Sequence, residues 1–179
     1  MEDVVDLEKA RLEKMAQRGY RNWISQLGEK FQVGTRPSHI SIEALRLLAR
    51  GKETSVFYLY DLIMTLQNLG SGFEFNELNP KAKMAVIDRY LFLLDRIRFE
   101  YMKRLGWLEH YPGEEFTLVE LITLFKRLAP EMQEKTPSLS RTHPSYGKFC
   151  IMNDLGKEEF IRKLIPKALN NIQDHSTTL

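Results

Sequence analysis

Between Asn79 and Gly106 the chain carries a complete set of signals for one long helix. Asn79 is a good N-cap and Pro80 a favoured first-turn residue. No glycine or proline interrupts the pattern from there to Leu105, and Gly106 closes it. A helix of this length needs neighbours to cover its apolar side, and the rest of the sequence offers them in kind. Apolar residues recur at three- and four-residue intervals almost everywhere, while strict alternation is rare.

The same reasoning places the other elements. A first helix is expected over Asp3 to Phe31, within a long N-terminal segment of residues 1–34. Val5, Leu12, Ala16, Tyr20, Trp23, Leu27 and Phe31 lie along one side of it. Short helices follow over Ser41 to Arg50 and Thr54 to Leu69. Thr117 and Glu120 have capping-box spacing, and Leu118, Leu121, Ile122, Phe125 and Leu128 form a stripe halted at Pro130. A last helix is expected from Lys157 to about Ile172, kinked or divided at Pro166. The fold class is therefore all-α: one domain over residues 1–179, a bundle of about six helices with the Thr54 and Pro80 helices at its centre. There is room for one small β-hairpin near residues 107–118.

Composition narrows the class of function without selecting one. With 43% apolar and 28% charged residues the chain has a globular profile. A net charge of +2 is too balanced for the whole chain to act as an electrostatic nucleic-acid binder. One cysteine, Cys150, allows no internal disulfide and no multi-thiolate zinc site. The segment Met1 to Lys14 mixes charges and lacks the basic start and apolar core of a signal peptide. No apolar run approaches the length of a membrane span, so a cytoplasmic setting without membrane contact is expected.

Catalytic signatures are missing from the sequence. It contains no GxSxG elbow, P-loop, dinucleotide fingerprint or HExxH frame, and His39, His110, His143 and His175 are scattered. No metal and no cofactor is expected. Two groups of residues remain as candidates. Asp61 is the only charged side chain in the apolar Thr54 helix, and Arg98, between Leu94, Tyr101 and Leu105, is its natural partner. The pair would either orient a ligand in a polar pocket or serve as a structural ion pair. The second group lies in the acid-free stretch 135–153, where Arg141, His143, Tyr146 and Lys148 share one loop with several hydroxyls. Arg141 would clamp a small anion, Lys148 add charge, and His143 or Tyr146 orient it. The alternative is a solvated crossover rich in turn-forming residues.

Three functional expectations follow. The first is a non-catalytic helical protein that binds a protein partner or forms a homodimer through the N-terminal helix, whose Met15, Tyr20 and Trp23 are spaced to meet another helix. The second is a DNA-binding regulator. Residues 80–104 hold seven cations against three acids, and Leu105–Glu109 with Phe116–Leu118 would form a wing after a helix, in a topology like that of winged-helix binders. The acidic character of that wing, through Glu109, Glu114 and Glu115, argues against it. The third is a small-anion binder or enzyme using the 141–148 loop.

Overall fold

In the computed structural model, which describes residues 2–52 and 54–176, helices form wherever the three-to-four spacing is sustained. They are α1 (Glu2–Gly19), α2 (Arg21–Leu27), α3 (Ile42–Ala49), α4 (Thr54–Leu66), α5 (Pro80–Arg104), α6 (Leu118–Thr123), α7 (Phe125–Gln133), α8 (Tyr146–Cys150) and α9 (Asp154–Ser176). Single 3-10 turns occupy Pro37–His39 and Gly72–Glu77. The caps read from the sequence at Asn79 and Thr117 are made, and Ser41 adds another. Asn79 Oδ1 accepts the Ala82 N–H at 2.8 Å, Ser41 Oγ that of Ala44 at 3.1 Å, and Thr117 Oγ1 that of Glu120 at 3.0 Å. Each satisfies a donor the first turn leaves open.

Several boundaries differ from expectation. The first helix does not run unbroken to Phe31; α1 gives way at Gly19 to α2, which ends at the left-handed Gly28. Gly19 is where α1 crosses α4. A β-carbon there would come within 2.9 Å of a Leu62 methyl and 3.5 Å of its backbone. Helix α4 stops at Leu66 because Asn68 takes a left-handed conformation (φ 58°) and Leu69 N–H returns to Met64 O. The stripe after Thr117 is split at Leu124, and α7 continues past Pro130, held by Leu128, Ala129 and Met132 on its buried face. Likewise α9 runs through Pro166 without dividing.

The small β element is present, with an unexpected partner. β1 (Leu108–His110) pairs antiparallel with β2 (Ser138–Leu139), Leu108 opposite Leu139 and His110 opposite Ser138. Residues 116–118 are unavailable as a strand because Thr117 caps α6.

Helices α4 and α5 are central, as their patterns require. Helix α1 lies against α4, while α5 is covered by α3, α6, α9 and β1. The aromatic residues on the N-terminal stripe face inward. Tyr20, Trp23 and Phe31 form a mutually packed trio with ring centroids 5.2–5.5 Å apart, and Trp23 Nε1 donates to Tyr58 O at 2.8 Å. They are core, which removes the sequence argument that offered Tyr20 and Trp23 to another molecule. No helix among the described residues is long and apolar enough to cross a membrane.

Candidate binding site

The Asp61–Arg98 pair does not form. Asp61 is buried, and its two oxygens accept Asn22 Nδ2–H at 3.0 Å and the Gly72 N–H at 2.9 Å. The carboxylate thereby ties α2 to the turn after α4, and with two donors it needs no cation. Arg98 faces the opposite way, donating from Nε to Ala49 O at the end of α3, 2.9 Å away.

Nor do the four loop residues converge. Arg141, with its side chain 80% exposed, is answered by Glu109, whose Oε1 accepts the Arg141 backbone N–H at 3.2 Å and lies 3.7 Å from its Nε. Arg141 and Tyr146 share a shallow hollow with Glu109, Glu134, Asp154 and Lys157, so acids outnumber cations around it. His143 and Lys148 lie outside that hollow. The His143 Nδ1 accepts Ser145 N–H at 3.1 Å, and its ring stands edge-on to Phe160. Burial first, then Lys167, lowers the His143 pKa, so the neutral ring that this acceptor role requires is favoured. Beside Cys150, the Tyr146 phenol is pushed upward. Lys148 is exposed. The acid-free stretch is free of acids only in sequence; tertiary neighbours supply them.

A different group of residues does converge. On the side of α5 that faces α7 and α9, Phe92, Arg96 and Phe99 succeed one another at helical spacing. Arg96 is only 6% exposed. Its guanidinium carbon lies against two rings, 4.9 Å from the centroid of Phe92 and 5.1 Å from that of Phe99. Nη1 donates to Pro112 O and lies 3.6 Å from Met132 Sδ, a weak acceptor, while Nε has no partner. Asp95, the next acid along, pairs with Arg162 instead, at 2.9 Å. Among the described residues no carboxylate reaches Arg96 at ion-pair distance. Burial lowers its pKa to about 10, against the opposing pull of Asp95, so it is still cationic at neutral pH.

Beside this cation lies a cavity of about 440 Å³. Phe92, Phe99 and Met132, the side chains that touch the guanidinium, also line the cavity. Phe125, Ala129 and Ile161 complete its apolar wall, and Asp95 with Arg162 stands at its rim. The spacing of Phe125, Ala129 and Met132 at i, i+4 and i+7 puts all three on the α7 face that meets α5. The small Ala129 side chain leaves room between them. A volume of this size suits a small organic ligand.

Arg89, one heptad before Arg96, repeats the arrangement. It is buried over the Phe125 ring at 4.9 Å and donates from Nη1 to Ala85 O. The sequence signal is a repeated Arg–x2–Phe unit at Arg89/Phe92 and Arg96/Phe99. Sequence reasoning chose Arg98 instead, because which face of α5 meets α7 is invisible in a single helix.

The cations that gave α5 its basic look are largely engaged within the fold. Arg89 and Arg96 are buried and Arg98 is on Ala49. Lys103 pairs with Glu114 at 2.7 Å, Arg104 with Glu100 at 2.9 Å, and Lys83 lies over Phe75.

No family model, curated protein or solved structure matches the chain. The fold and the groove therefore define a class: an all-α protein with a ligand-sized, aromatic-walled cavity built over a buried arginine.

Proposed function

We propose that the protein is a non-catalytic helical binding protein and that its binding surface is the groove between α5, α7 and α9. The observation that supports this most directly is Arg96, a buried cation with no carboxylate at ion-pair distance among the described residues, beside a cavity of about 440 Å³. Burying a charge is unfavourable by several kcal/mol, about 3 or more, unless something compensates it. Stacking on Phe92 and Phe99 returns part of that, about 2 kcal/mol at a desolvated site. A bound partner group would return the rest. Leu91, 54% exposed at the groove's edge, extends the apolar wall outward.

Protein-observed NMR with a library of small fragments tests the site. Binders are expected to shift the methyl signals of Ala129, Met132 and Ile161. Gln133→Trp, which fills the groove from its exposed rim, should abolish those shifts while leaving the fold intact. Fragments that bind only elsewhere on the chain, or that ignore Gln133→Trp, would remove the groove as the functional surface.

A further inference from the structure

Resting on the groove as the binding surface, we infer that its ligand is a small aromatic carboxylate, held by Arg96 with its ring among Phe92, Phe99 and Phe125. The geometry of the guanidinium carries this. Its central carbon lies 4.9 Å from the Phe92 centroid and 5.1 Å from that of Phe99, so two rings crowd it and its N–H groups are left to make its polar contacts. Nη1 donates to Pro112 O. Nε is buried without a partner, and the other contact of Nη1 is the Met132 thioether, 3.6 Å away. Thioethers are weak acceptors on flexible stems. A carboxylate that displaces Met132 Sδ would replace that contact with charge-assisted hydrogen bonds and give the buried cation its missing counter-ion.

The rest of the cavity decides the remainder of the ligand. Its walls nearest Arg96 are aromatic and apolar: Phe92, Phe99, Phe125, Ala129, Met132 and Ile161. They suit a flat ring in offset or edge-on contact. At the rim, Asp88, Asp95 and Glu158 stand beside Lys135 and Arg162. Those acids disfavour a multiply charged phosphate, whereas a single carboxylate presented to Arg96 leaves its uncharged ring among the aromatic side chains. The chemistry recognised is one negative charge on one planar apolar body.

The experiment uses 2-naphthoate and its neutral analogue 2-naphthamide as probes, with the full chain. Titration is followed at the Arg96 Nε–H resonance and at the methyl groups of Met132 and Ile161. The expected result is that naphthoate shifts all three and binds at least tenfold more tightly than the amide. Arg96→Met should erase the difference between the two probes, so that both bind weakly and alike. Because the first comparison uses the unaltered protein, it holds whether or not that variant folds well. Equal affinities for acid and amide, both shifting the groove methyls, would overturn the carboxylate assignment while upholding the groove as a binding surface. Neither probe shifting the groove would overturn both. Tighter binding of inorganic phosphate than of naphthoate, seen at the same Nε–H, would also overturn the assignment.

Discussion

Arg96 and Glu100 stand one turn apart on the same helix, and both are buried, at 6% and 2% exposure. Their surroundings differ sharply. Glu100 accepts Arg104 Nε–H at 2.9 Å and the Tyr111 hydroxyl at 2.7 Å. Arg104 then reaches on to the carbonyls of Ser38 at 2.6 Å and Ile40 at 2.8 Å. The result is a bracket that fastens the end of α5 to the turn before α3 and to the segment after β1. Burial and this contact together drive the Tyr111 phenol pKa upward, so its hydroxyl stays a donor throughout the accessible pH range. Arg96, by contrast, has a backbone carbonyl, two rings and a thioether, and no acid. One buried charge is met by charged and hydroxyl partners; the other is met by rings, a thioether and a backbone carbonyl.

The comparison can be broken by mutation. The largest effect is expected for Glu100→Ala, which strands the Tyr111 hydroxyl and frees Arg104. It should cost about 3 kcal/mol in urea unfolding. A loss below about 1 kcal/mol would mean that the bracket is held by packing rather than by its charge.

Asp61→Ala comes next, at about 2 kcal/mol, because the Gly72 N–H and Asn22 Nδ2 would lose their acceptor. Arg98→Ala should be milder, about 1 kcal/mol, since it removes one hydrogen bond to Ala49 O and no ion pair. Equal losses for the two variants, with the double variant costing no more than either, would show that Asp61 and Arg98 act as a unit after all.

Arg96→Met should leave stability within about 1 kcal/mol of the parent, since a similarly shaped apolar side chain removes the uncompensated charge along with its stacking. A cost as large as that of Glu100→Ala would make Arg96 as structural as its neighbour and erase the contrast.

The smallest effect is a pH dependence at Glu114. Burial raises its pKa, but Lys103 and His110, bonded to its two oxygens at 2.7 and 2.8 Å, outweigh that, and the net shift is downward. A carboxyl whose folded pKa is depressed adds stability above its unfolded pKa. That increment disappears as pH falls from about 4.5 through the folded value. Glu114→Gln should therefore flatten the acid limb of the stability curve, by less than about 1 kcal/mol for so accessible a pair. An unchanged acid limb would assign it to other carboxylates.

The legible parts of this protein were the local ones. The caps at Asn79 and Thr117 were readable because each involves a side chain and a backbone N–H three residues apart. The centrality of α4 was readable because it is apolar around most of its circumference. The single-helix reading of Asp3 to Phe31 failed at Gly19, whose reason for being glycine lies in Leu62, far along the chain. The strand at Leu108 was visible, but not its partner beyond α7. The acid-free loop drew attention as an anion site, yet Glu109 and Glu134 from earlier in the chain flank it.

What the sequence determined by itself was the longer helices, since each depends on hydrogen bonds and apolar spacing within a few residues of the same segment. The short α8 within the stretch read as a loop, and the breaks at Gly19 and Leu124, were not among them. Which charged side chain ended up in a cavity was decided only by tertiary packing. Arg96 and Arg98 are chemically alike and two residues apart, but that step turns a side chain about 200° around the helix axis. One therefore meets α3 and a carbonyl, and the other meets α7 and the groove. Nothing within α5 distinguishes those two directions. Only the helices that come to rest against them do.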